Sequence, residues 1–167
     1  MAFRRSPKYL VERTSRGYVV HLPREEIDMV ARLCAELRTL LLSDDPQQAP
    51  LLRRLFPPAY HLSDDEEAEA EYQRLMREDL VSSRLESLSM VEEALALGEP
   101  MDDAAMGAFV QSLNGVRLVL GTLLDVSESH DPSAVADDDP MVGEHQLYAF
   151  LSWLLEHAVL AISRSGT

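Results

Sequence analysis

Residues 101–125 read MDDAAMGAFVQSLNGVRLVLGTLLD, and the rest of the chain is organised around them. Met106, Phe109, Leu113, Val116, Leu120 and Leu123 recur in alternating steps of three and four, the spacing that lines up one face of an α-helix. Leu118 and Val119 point off that face. A helix apolar nearly all round is a buried one, so this segment is expected at the centre of a helical bundle. Gly107, Asn114 and Gly121 follow at seven-residue intervals. Each interior glycine costs a helix about 1 kcal/mol relative to alanine, which a closely packed neighbour would offset. Arg117 falls inside the apolar stripe, between Leu113 and Leu120. Its cation must snorkel to water or pair with a carboxylate of another helix, and Glu78 or Asp79 is the expected partner. Asn114 and Arg117 are therefore expected as buried structural polar residues.

Before this helix, Tyr9 to Arg13 and Tyr18 to Leu22 are β-prone runs joined by Thr14, Ser15, Arg16 and Gly17, which predicts a β-hairpin. Two strands alone are marginal in water, so the hairpin must pack on helices or pair with another chain. A homodimer is one way to do so. Pro23 opens a helix with a stripe of Ile27, Val30, Cys34, Leu37 and Leu41, ending near Ser43. Leu51 to Phe56 reads as a short helical turn, in which apolar neighbours make Arg53 and Arg54 an anchor that pins the loop to the core. Ser63 and Glu66 form a capping-box pair ahead of a helix through Tyr72, Leu75 and Met76. The apolar phase then shifts, which predicts a kink or restart near Glu78 and Asp79. A further helix runs through Leu85, Leu88, Val91 and Leu95 to Gly98, and Asp102 caps the central helix.

After the central helix, residues 125–139 form a polar, acidic loop. Asp139 and Pro140 are expected as N-cap and first residue of the last helix. Its core stripe is Leu147, Leu151, Leu154, Ala158 and Ile162, and Trp153 lies on another face, free to cover the hairpin or a second subunit. The reading is a mainly α single domain over residues 1–167. A basic arm and β-hairpin occupy residues 1–22, and a bundle of about five helices occupies residues 23–163.

The net charge of -14 and 46% apolar content describe a domain with a real core that repels bare nucleic acid and anionic membrane. The opening residues lack an apolar run, and the longest apolar segment, Leu147 to Ile162, is interrupted by Ser152, Glu156 and His157 and is short for a membrane span. A cytoplasmic protein without direct nucleic-acid or membrane binding is expected. Basic charge gathers at the start, where Arg4, Arg5, Lys8, Arg13, Arg16 and Arg24 face Glu12 alone. Arg4, Arg5, Lys8, Arg13 and Arg16 are the candidate partner-binding residues. The other reading is that they keep an exposed hairpin soluble.

No constellation for chemistry emerges. The five histidines are scattered, with no HExxH and no cysteine cluster for a metal. There is no GxSxG elbow, and no glycine-rich turn for a phosphate. The only cysteine, Cys34, sits in the core stripe of its helix, where thiols are packing residues. No catalytic residue, metal or cofactor is expected. A non-enzymatic protein that binds another protein is the first hypothesis. An enzyme with a site in the bundle core is the second.

LNGVRLVLGTLLDV (residues 113–126), RRLFPPAY (53–60), FRRSPKYLVER (3–13) and DDDP (137–140) occur across nearly the whole chain. Together they resemble an actinobacterial family of unknown function that includes the actinomycete oxidative stress regulator, AosR. The resemblance implies a mainly helical regulator without enzymatic activity. It further implies thiol-based sensing of oxidative stress, control of cysteine-biosynthesis genes, and action together with an extracytoplasmic-function sigma factor. The switch it implies is a disulfide across C-x-x-x-C. Here Cys34 has Val30 and Arg38 at that spacing, so the switch does not carry over, and Cys34 is a redox candidate through the resemblance alone.

Overall fold

The structure is a computed structural model and describes residues 8–56, 66–126 and 135–166. Strands β1 (Val11–Thr14) and β2 (Gly17–Val20) lead into helices α1 (Arg24–Leu41), α2 (Glu66–Leu97), α3 (Asp103–Leu123) and α4 (Val142–Ser165), with a 3-10 turn at Ala49–Leu52. Among the described residues the fold is a four-helix assembly preceded by an antiparallel hairpin, one helix fewer than the sequence pattern predicts. The difference lies in α2, which runs unbroken for 32 residues through Glu78 and Asp79.

α3 is the centre, as its sequence requires. Ala105, Met106, Ala108, Phe109, Leu113 and Val116 are among its ten buried residues, and it packs on α1, α2 and α4. Asp102 caps it by accepting a hydrogen bond from Ala105 N at 2.8 Å. Around it close Val30, Cys34 and Leu37 of α1, Leu88, Val91 and Leu95 of α2, and Leu151, Leu154 and Ala158 of α4. Gly98 ends α2 in the left-handed conformation at φ 66°, the C′ role its position predicts. Gly121 admits a neighbour, since a Cβ there would lie 2.7 Å from Arg54 Nη1 and 3.2 Å from Tyr148 Cε2. Arg54 Nη2 donates to the Val126 carbonyl at 2.6 Å, so the 3-10 segment is pinned to the end of α3. Gly107, in contrast, is exposed with nothing near it, and no close neighbour offsets its cost.

The hairpin is tighter than its sequence suggests. Val11, Glu12, Arg13 and Thr14 pair with Val20, Val19, Tyr18 and Gly17, leaving Ser15 and Arg16 as a two-residue loop. Gly17 has φ 126°, and a Cβ there would run into the Met101 carbonyl. That close approach lets Tyr18 and Met101 exchange two backbone hydrogen bonds of 2.8 Å, tying β2 to the start of α3. α4 holds both strands: Arg164 reaches the Val11 carbonyl of β1 at 3.5 Å, and the Tyr18 hydroxyl of β2 shares a 2.8 Å hydrogen bond with Ser165. The hairpin thus closes one end of the bundle.

Three further expectations change. α4 starts at Val142 rather than at Pro140, with Met141 at the N-cap. Asp139 instead stabilises the preceding turn by accepting from Met141 N at 2.8 Å. Second, α4 extends the apolar segment to 24 residues, long and apolar enough by length and composition to cross a membrane. It buries Leu151, Leu154, Ala158 and Ala161 against the bundle, and 22% of its membrane-length window is buried. Third, Arg117 does not meet Glu78 or Asp79, which are exposed on α2. It faces α4, with its guanidinium 5.9 Å from the Tyr148 ring centre, and donates to Asn114 Oδ1 at 3.0 Å. Both residues are partly buried, and an intrahelical amide serves where a carboxylate was expected. Ser63 of the expected capping box lies outside the described residues.

Candidate functional site

Cys34 is buried on the inner face of α1, with 1% of its surface exposed. Burial, reinforced by Glu92 and opposed by Arg38, pushes its thiol up from the ordinary 9.0 to about 12. The thiolate, which is the reactive form, is therefore scarce at neutral pH. Among the described residues no three His, Cys, Asp or Glu side chains stand together as a metal site. The described histidines act locally: His21 Nε2 lies 3.1 Å from Glu12, and His157 meets the Trp153 ring edge-on at 5.2 Å. A cleft of about 240 Å³ between α1 and α3 is lined chiefly by Leu33, Leu37, Leu40, Val116 and Leu120, and Glu36 is its only ionisable lining residue.

Of the candidate partner-binding residues, the structure describes Lys8, Arg13 and Arg16. Arg4 and Arg5 lie outside the described residues. Lys8 sits over the Tyr9 ring at 5.2 Å, and Arg13 over the Tyr18 ring at 5.4 Å. Arg13 also lies 3.9 Å from Asp103 in an exposed pair, and such pairs contribute little. Arg16 is exposed in the hairpin loop. The hairpin edges are partly engaged: Tyr18 of β2 is bonded to Met101, and the Val11 carbonyl of β1 faces Arg164.

A larger unsatisfied surface lies on α2. The helix buries only Leu88, Val91 and Leu95, all in its second half, and no residue from 66 to 87 is buried. Yet this half is not polar outward. Tyr72, Leu75, Met76 and Leu80 are 55, 50, 42 and 40% exposed. At 100° per residue these four share one side, about 80–220° around the helix from Leu88. On the side that faces the bundle, two arginines stand beside the half-buried Val81 and Leu85. Arg77 covers the Phe56 ring at 5.0 Å, and Arg84 lies against α3 at Gly115, where burial pushes its pKa down. Large apolar side chains of this half therefore stand in solvent on the side of the helix away from Leu88.

The outward face continues along the second half through Met90 and Leu97, 41 and 65% exposed. There it borders a depression of about 280 Å³ at the α2–α3 corner, floored by Ala94, Pro100, Ala104 and Ala105 and rimmed by Glu93, Glu99 and Asp102. Other large exposed apolar residues lie on α4, where Trp153 is 45% exposed and its ring lies tilted against Phe150 at 6.1 Å. Trp153, Val159, Leu160 and Ile162 thus leave α4 with exposed apolar side chains as well. Sequence reasoning named Tyr72, Leu75 and Met76 only as parts of a helix. The signal that marks them as a surface is the phase shift read as a kink.

Comparison with known proteins adds the family alone. No curated protein and no solved structure matches the chain. A family model described as a domain of unknown function, DUF2017, matches residues 3–162, and the protein belongs to that family.

Proposed function

We propose that the chain is a non-enzymatic regulatory protein that acts by binding another protein through the outward face of α2. The observation that carries this reading is the exposed apolar face of that helix: Tyr72, Leu75, Met76 and Leu80 stand in solvent, and no residue from 66 to 87 is buried. Contiguous exposed apolar surface of this kind marks interaction sites in soluble proteins, and an amphipathic helix face is a standard receptor for a partner helix. The biological setting we propose is transcriptional control of stress or cysteine-biosynthesis genes, with a sigma factor as the partner. Support for that setting comes from the resemblance to the actinomycete oxidative stress regulator. With Cys34 alone and buried, the regulation proposed here runs through binding rather than through a thiol switch within the chain. The basic hairpin, with Lys8, Arg13 and Arg16, is the competing docking element.

Site-specific photo-crosslinking in the native cell tests the reading. A photoreactive residue at position 76 should give a discrete product with a second protein, and one at position 16 or 153 should not. Products from position 16 alone would move the site to the hairpin. In the same strain, Met76→Asp with Leu80→Asp should reproduce the transcript changes of a deletion. A transcript profile like the parent's would contradict a regulatory role for this face.

A further inference from the structure

The outward face of α2 carries charge as well as apolar surface, and the two are in register. Asp79, Glu86 and Glu93 recur every seven residues, and Met76, Ser83, Met90 and Leu97 recur beside them with the same period. A seven-residue period holds both columns on one side of a helix. All three carboxylates are exposed, and none takes part in an ion pair among the described residues. Elsewhere α2 does use its acids, since Glu92 holds Arg38 of α1 through two hydrogen bonds of 3.2 and 3.0 Å. At the far end of the face, Glu93, Glu99 and Asp102 rim an apolar depression. A carboxylate rim over an apolar floor suits a side chain with an aliphatic stem and a cationic head.

A second copy of this face is a poor occupant. α2 contains nine carboxylates against three arginines, and two such helices laid together would oppose like charges along their length. Charge complementarity selects the opposite kind of partner. We infer that the outward face of α2 receives an amphipathic helix of another protein, whose apolar stripe packs on the methionine–leucine column while lysines or arginines at seven-residue spacing meet Asp79, Glu86 and Glu93. This rests on the docking reading above and names the chemistry of the partner.

The test uses the full chain and two synthetic helical peptides with one leucine stripe, one carrying lysine and the other glutamate at each heptad position beside it. Fluorescence anisotropy should show the lysine peptide binding about tenfold more tightly than the glutamate peptide, the product of three exposed charge pairs. The variant Asp79→Lys, Glu86→Lys, Glu93→Lys should reverse that preference with helicity and thermal midpoint retained. If that variant loses helicity, Glu86→Lys alone should narrow the preference about fivefold, from about tenfold to about twofold. Met76→Asp with Leu80→Asp should weaken both peptides together. Equal binding of the two peptides, with crosslinking from position 76 intact, would overturn the charge assignment and leave the docking face standing. Binding of neither peptide together with no crosslink from position 76 would overturn both. A wild-type dimer in sedimentation that Met76→Asp dissociates would assign the face to a second copy instead.

Discussion

Single residues define what this bundle tolerates. The folded state holds the Cys34 proton to about pH 12, whereas the unfolded chain releases it near 9.0. A group whose folded pKa is raised contributes stability that is complete below the unfolded pKa and is lost as pH rises through the folded one. Stability should therefore decline from about pH 9 upward, and Cys34→Ala should flatten that decline while costing about 1 kcal/mol at neutral pH. Urea midpoints for parent and variant between about pH 8 and pH 10.5 check both. Parallel profiles would mean the thiol is not held as described. Arg117→Ala should cost only about 1 kcal/mol, the worth of a hydrogen bond to Asn114 and a ring contact with Tyr148. A loss of about 3 kcal/mol or more would instead indicate a buried ion pair. The place of Arg117 inside an apolar stripe was legible in the sequence. Its partner was not, because the helical stripe fixes a direction and not which neighbour stands there.

Among the elements, α3 and the hairpin follow most directly from local pattern. Continuous apolar periodicity fixes the first, and two β-prone runs around a glycine fix the second. The tightness of the hairpin depends on a tertiary contact, the Tyr18–Met101 bridge, that no local pattern encodes. Gly17→Ala should destabilise the protein by about 2 kcal/mol, through its positive φ and the loss of that approach. Thermal unfolding measures this directly, and an unchanged midpoint would show the bridge to be dispensable. Asp102→Ala removes a helix cap and should cost about 1 kcal/mol. The sequence pattern predicts two helices in place of α2 because Tyr72 and Met76 are out of phase with Leu88, Val91 and Leu95. The break in phase is real, but it marks a change of face. In a continuous helix, a phase shift without glycine or proline means two apolar stripes, one for the core and one for something else.

At the scale of the whole molecule, the net charge of -14 and the exposed apolar column belong together. Acidic surface keeps such a protein soluble while an apolar face waits uncovered, and it favours cationic partners. The first half of α2 contributes no buried residue, so its amides are held by the helix alone. Helices without tertiary support are marginal in water and open locally well below the global stability. Amide hydrogen exchange therefore tests the central claim most directly. In the free chain, residues 66–87 should exchange much faster than α3, and the lysine-bearing helical peptide should slow that segment while leaving the hairpin at residues 8–22 unchanged. Fast exchange on α2 that the peptide does not alter, or protection confined to the hairpin, would contradict the account.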